Sequence, residues 1–271
     1  MGIADDIAGD WHAALAALAW QVELGLTDIS AEAPLDRYDL PEPIKPPPAA
    51  PPVVAPKAPL PPPPEPAAPN PDSAILAARD AANRAATLED LREALAAYEH
   101  CDLKKGARNL VFADGNPKAR VLILGEAPGV EEDREGRPFV GRAGQLLDKM
   151  FAAIGLARTA PDPAAAVYIF NTMPWRPPQN RDPSPQEIAM MRPFVERHIA
   201  LVDPDVIVLM GNTPLQTVMQ TKGILRLRGI WAEALGKHVL PMTHPAYLLR
   251  NPAAKREAWA DLLSLQEKLR G

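Results

Sequence analysis

The sequence predicts an α/β domain. It is a three-layer α/β/α arrangement around a central four-stranded parallel sheet, preceded by an N-terminal helix and a Pro-rich linker. Two observations carry that reading. Short β-branched apolar runs alternate with longer helical stretches, the pattern of strand–crossover–strand units. The first three runs are also near-continuously apolar, as expected for strands covered on both faces. In chain order the strands read Arg120–Gly125 (RVLILG), Val167–Asn171 (VYIFN), Asp205–Gly211 (DVIVLMG) and Lys237–His244 (KHVLPMTH). Between and after them lie helices at Ala143–Ile154, Pro185–Leu201, Thr213–Thr221 and Lys255–Leu269. Pro185 suits the first turn of its helix, where a missing N–H costs nothing. Ligands of such sheets bind beyond the C-terminal ends of the strands.

Upstream of the sheet the chain changes character. Sixteen of its 33 prolines fall between Pro41 and Pro71. Proline removes backbone donors and fixes φ, so this stretch forms neither helix nor sheet. It reads as a semi-rigid spacer, with a ligand for proline-recognising modules as the alternative. Three segments follow: 1–40 (an amphipathic helix and acidic tail), 41–73 (the linker) and 74–271 (the α/β domain). In the first, residues 8–26 read as one helix, with Trp11, Leu15, Leu18 and Val22 at helical spacing. A lone helix cannot bury its own apolar face. It docks either on its own domain or a second copy, or on a protein partner at the end of the tether.

Charge and cysteine content narrow the class. Residues 1–73 carry 11 acidic and 3 basic side chains, a net of −8, whereas residues 74–271 carry 23 acidic and 26 basic, a net of +3. The overall −5 therefore reflects an acidic tail and does not exclude a nucleic-acid partner for the mildly basic domain. No apolar run reaches the roughly 20 residues of a membrane span. The start, MGIADDIAGD, lacks the basic residues of a signal peptide, so a cytoplasmic protein, nucleoid-associated in a prokaryote, is expected. The single cysteine, Cys101, excludes a disulfide framework.

Polar residues gather where the strands end. The first strand runs into Gly125-Glu126-Ala127-Pro128-Gly129, then Glu132, Asp133 and Pro138-Phe139-Val140-Gly141. The second ends at Asn171 and the fourth at Thr243-His244-Pro245. Singly these are ordinary turn residues. Convergence of carboxylates, an amide, a histidine and an aromatic ring on one sheet edge marks a candidate site. The glycine spacing does not match G-x-G-x-x-G, so no dinucleotide fingerprint is present.

The segments GEAPGVEEDREGRPFVGRAGQLL, N-x-x-x-W-R-P-P-Q-N-R-D-P and THPAYLLRNP closely resemble the family-4 uracil-DNA glycosylases, in the same order, from about Leu91 to the C-terminus. The resemblance implies removal of uracil from DNA by cleavage of the N-glycosidic bond of a flipped-out base. It implies that Phe139 stacks on the base and that Asn171 reads its edge. It implies that His244 stabilises the leaving anion and that Glu126 and Asp133 are the catalytic carboxylates. Glu132 would crowd the C5 edge and exclude thymine, with Ala127 in the pocket wall. Leu248 and Leu249 would fill the gap left by the base, with Arg176 and Arg250 on phosphates. The backbone at Gly211-Asn212 would offer further N–H donors.

The sequence also departs from that family, which typically holds a [4Fe–4S] cluster on four cysteines. The corresponding positions here read Tyr98, Cys101, Trp175 and Met191. Such a cluster needs thiolates, so no cluster and no other cofactor is expected. Large apolar side chains are expected to fill its place. A related branch cross-links to uracil DNA through a histidine in a basic loop inserted after PFVG. Here Gly141-Arg142-Ala143-Gly144 runs straight into a helix, so turnover is expected. The motifs offer no lysine nucleophile, so strand cleavage is not. The expected protein is a monomer acting on uracil-containing DNA, with no membrane association. Two alternatives stand beside it: a non-catalytic DNA- or damage-binding module, and a glycosylase of shifted specificity toward hypoxanthine or xanthine.

Overall fold

Apolar strands form where both faces of a sheet are covered, and four such strands build the centre of this protein. A computed structural model of the chain describes residues 71–270 and, ahead of them, Leu15 alone. The N-terminal helix expected at 8–26, the acidic tail and most of the linker therefore lie outside the described residues.

The described elements, in order, begin with helices α1 (Pro71–Arg84), α2 (Leu88–Ala97) and α3 (Leu103–Gly106) and strands β1 (Ala113–Gly115) and β2 (Val121–Gly125). Next come α4 (Val130–Glu135), α5 (Arg142–Ala152), β3 (Val167–Asn171), α6 (Pro185–Val202), β4 (Val206–Met210) and α7 (Asn212–Met219). The chain closes with α8 (Ile224–Leu227), β5 (Ala232–Ala234), β6 (Lys237–Met242), α9 (Pro245–Arg250) and α10 (Lys255–Arg270). The first helix starts three residues ahead of the expected domain boundary at 74.

The sheet has six strands in the order β1-β3-β2-β4-β6-β5. The four expected strands, β3, β2, β4 and β6, are its parallel centre. Two three-residue strands, β1 and β5, add antiparallel edges. Side chains alternate between the faces of each strand. Val121, Ile123, Ile169, Val206 and Val208 join one core with Leu147 and Phe151 of α5 and Leu262 and Leu265 of α10. Leu122, Leu124, Tyr168, Ile207 and Leu209 join the other with Val195 and Ile199 of α6 and Leu215 and Val218 of α7.

A third core lies beside the sheet. Ala74, Ala78 and Ala82 form a small-residue stripe on α1, all nearly inaccessible, in one cluster with Met190, Met191 and Phe194 of α6. Ser184 caps α6 by accepting from Glu187 N–H, and Glu187 returns by accepting from Ser184 N–H. Ala at every fourth position lets helices approach closely without rotamer cost.

One buried base has a consequence for stability. His198 of α6 lies between Phe112 and Phe170, ring centroids 4.7 and 4.0 Å away, and the Tyr168 hydroxyl meets its Nε2 at 2.9 Å. Burial pushes its pKa down from the usual 6.5 to about 3. An unfolded chain binds this proton below pH 6.5 while the folded one refuses it, so stability falls as pH drops through the window from 6.5 to about 3. Chemical denaturation at pH 7.5 and 4.5 should show a loss on the order of 2–3 kcal/mol from this residue. A His198→Gln variant should have the flatter pH profile.

Candidate functional site

The site begins with a strand register. β2 and β3 pair so that Gly125 stands opposite Asn171 at the last position of both strands. A Cβ on Gly125 would lie 2.3 Å from Asn171 Oδ1 and 2.5 Å from the Phe139 ring. Only glycine allows the carboxamide and the ring to close over the strand end. Beyond it opens a cleft of about 700 Å³ whose walls include Glu126, Glu132, Phe139, Asn171 and His244.

Asn171 is 5% exposed, and its Oδ1 is buried with no hydrogen-bond partner. An unmet buried acceptor costs about 1–3 kcal/mol, so this is the group from which a ligand gains most.

Phe139 stands in the left-handed backbone region, φ +54°, uncommon for a bulky residue. Its ring lies 5.5 Å from the His244 ring at an interplanar angle of 28°. Gly144 makes room for this bend, since a Cβ there would fall 1.8 Å from the Phe139 carbonyl oxygen.

His244 caps α9. Its Nδ1 accepts from Ala246 N–H at 3.1 Å, which places the ring proton of the neutral form on Nε2. Burial, helped by the Arg250 charge, pushes its pKa down to about 4. At neutral pH the ring is thus an uncharged donor.

Glu126 follows β2. Burial raises its pKa; the Thr213 hydroxyl beside it works the other way, and the Asp182 carboxylate raises it further. Glu132 is pinned: Oε1 accepts from Val140 N–H (3.0 Å) and Gly141 N–H (2.8 Å), and Oε2 from Gly129 N–H (3.0 Å). Ala127 completes the wall.

Not every expected residue reaches the cleft. The Asp133 carboxylate does not line it. Its Oδ1 accepts from the backbone N–H of Arg108 (2.8 Å) and Asn109 (3.2 Å), so it anchors the segment ahead of β1. Leu248 is 1% exposed and packs inward, whereas Leu249 is 37% exposed at the cleft rim. Arg250 lines the rim. Arg176 does not, but its Nε donates to Asn180 of the rim at 2.8 Å. The Asn212 side chain accepts from Gly223 and Ile224 N–H and holds that loop.

Sequence reasoning missed Thr213, Asp182 and Tyr247. Asp182 had a signal, since QNRDP is one of the motifs. It is fixed by the start of α6, where the adjacent Arg181 pairs with Glu187 through Nη1 (2.9 Å) and Nη2 (2.6 Å).

The four positions where a cluster would sit are together in the third core: Tyr98, Cys101, Trp175 and Met191, each 5% exposed or less. The Tyr98 hydroxyl donates to the Ala74 carbonyl at 2.8 Å, and its ring meets Phe194 edge-on at 5.3 Å. Burial pushes the Cys101 thiol up to about 11, so it is a protonated, packed side chain. This donor set of one thiol, a phenol, an indole and a thioether does not fit a [4Fe–4S] cluster. Among the described residues no group of three or more His, Cys, Asp or Glu is placed to hold a metal ion, and no helix is long and apolar enough to cross a membrane.

The Uracil DNA glycosylase superfamily matches residues 112–263. A Type-4 uracil-DNA glycosylase of Thermotoga maritima is 43% identical over 154 residues, 56% of this chain and 77% of that one. A Type-4 uracil-DNA glycosylase of Archaeoglobus fulgidus is 36% identical over 190 residues, 67% and 92% of the two chains. A Type-5 uracil-DNA glycosylase of Thermus thermophilus is 30% identical over 120 residues, 41% and 54%.

Glu132 offers a direct test of the wall. In Glu132→Gln one carboxylate oxygen becomes an NH₂ group that faces backbone donors. The variant should lose about 1–3 kcal/mol in urea denaturation. Unchanged stability would mean that the three N–H contacts do not hold the wall.

Proposed function

The chain belongs to the uracil DNA glycosylase superfamily, and from that premise we propose that it is a monofunctional uracil-DNA glycosylase. The observation that carries the reading is the buried, unpartnered Asn171 Oδ1 beside the Phe139 ring.

A carboxamide carries an acceptor and donors on one plane. Uracil offers the complement, an N3–H donor beside the O4 acceptor, whereas cytosine presents the reverse. A flipped uracil stacked on Phe139 thus satisfies Asn171, and a cytosine leaves it unmet. Glu132, locked by three backbone donors, supplies a wall that cannot swing away to admit a C5 methyl group.

In the reaction the C1′–N1 bond breaks and its electron pair goes to the uracil ring, with charge developing on O2. A neutral His244 donates from Nε2–H to that oxygen without itself carrying charge, a preorganised dipole in a partly buried site. The sugar becomes oxocarbenium-like. The Glu126 carboxylate stabilises it, orients the incoming water and takes a proton from it as oxygen bonds to C1′. Burial that raises the Glu126 pKa makes it the better base. Asp133, engaged with the 108–109 backbone, is assigned no chemical step. Leu249 is the wedge at the rim and Arg250 the phosphate contact. The cluster positions act as a packed core, so no step involves iron.

Incubating the chain with a uracil-containing oligonucleotide, then alkali, should cut the strand at uracil. Asn171→Ala and His244→Ala should lower the single-turnover rate by about 10²–10³-fold. Product from hypoxanthine or xanthine alone would favour shifted specificity, and tight binding without product a binding module.

The pH profile follows from signs. His244 stays neutral until pH approaches 4, but Glu126 must be ionised and its pKa is raised. The acid limb should therefore lie above the ordinary carboxylate range and vanish in Glu126→Gln, within its lower rate. Metal analysis of the full chain should find substoichiometric iron and no visible cluster absorption. Four irons per chain would refute the packed-core reading.

A further inference from the structure

Phe139 carries the base-stacking ring on a backbone that its residue type disfavours, and something must hold it there. Arg158 lies in the loop between α5 and β3, and its side chain is only 11% exposed. Nη1 donates to the Pro138 carbonyl and Nη2 to the Phe139 carbonyl, both at 2.9 Å. Nη1 also meets Asp114 Oδ2 of β1 at 3.0 Å. Nε donates to Asp148 Oδ1 of α5 at 2.9 Å, with Nη2 2.8 Å from the same oxygen. All three nitrogens are thus engaged, in a planar fork that a lysine cannot reproduce.

We propose that Arg158 is a positioning residue that fixes the Phe139 stacking platform. The two carboxylates anchor the guanidinium to β1 and α5, and the guanidinium in turn grips two successive carbonyls at the bend. A left-handed bulky residue costs on the order of 1–3 kcal/mol and persists only where its surroundings over-determine it. Gly144 removes the steric objection on one side of the bend, and Arg158 supplies the attraction on the other. The residue touches no substrate; it acts through the ring it places. Displacements of about 1 Å at a reacting centre cost on the order of 10²-fold, so the platform is sensitive to this grip.

The test combines a double-mutant cycle with a structure, using the full chain. The kinetic arm rests on uracil excision, and the structural arm does not. Single-turnover rates on a uracil duplex are measured for wild type, Arg158→Lys, Phe139→Ala and the double variant, with affinity for the uracil-free duplex alongside. Arg158→Lys should lower the rate about 10–100-fold. Affinity for undamaged DNA should hold within about twofold, and the substitution should add no loss in the Phe139→Ala background. A crystal structure of Arg158→Lys should show Phe139 outside the left-handed region. An equal loss in both backgrounds, or a Phe139 φ still near +54°, would overturn the proposal. Should Arg158→Lys not fold, Asp148→Asn, at a half-exposed carboxylate, carries the same cycle and crystal structure with a smaller loss. If the wild type releases no uracil, the functional reading fails and the Phe139 conformation in the crystal alone decides the clamp.

Discussion

The site depends on one strand register. Because β2 and β3 are parallel and aligned, Gly125 and Asn171 end side by side, and the absence of a Cβ on Gly125 lets the amide and the Phe139 ring share its space. A one-residue slip would turn Asn171 to the opposite face of the sheet and break the arrangement. The register in turn rests on two apolar cores, one on each face, that bury every residue of β2, β3 and β4. Stability and chemistry thus meet at the last residue of two strands. Beyond it, loops bring in the histidine cap and Glu126, and helix α4 brings in the pinned Glu132.

Much of this was legible in the sequence, for a physical reason. Strands covered on both faces must be apolar throughout, so RVLILG, VYIFN and DVIVLMG declared themselves, while KHVLPMTH shows an apolar centre behind two residues that are not buried. Their ends located the polar residues that follow. The edges β1 (ADG) and β5 (AEA) were not readable, because three partly exposed residues carry no periodic signal. Helix α1 also escaped, since its buried face is an alanine stripe and its first residue is the last proline of the linker.

Side-chain direction was harder to read than position. Glu132 and Asp133 are neighbours on α4, and successive residues on a helix point about 100° apart. Glu132 lines the cleft and Asp133 does not, and the run EEDRE does not say which of its carboxylates turn inward. The same geometry separates Leu248 from Leu249 on α9. Arg158 was invisible for another reason: its partners come from three separate segments, and only the folded chain brings two carboxylates and two carbonyls around one guanidinium. In the third core, by contrast, the substitutions were informative in themselves. Large, mostly apolar residues stand at three of the four positions that the family resemblance assigns to cluster ligands, and all four are buried together.

On the proposed reading, the buried, unpartnered Asn171 Oδ1 reads the base. That reading is tested most directly by a crystal structure of the full chain with free uracil. The ring should stack on Phe139, with its N3–H within hydrogen-bond distance of Asn171 Oδ1 and its O2 facing His244. Uracil bound elsewhere, or bound in the cleft with Asn171 Oδ1 still unpartnered, would contradict it.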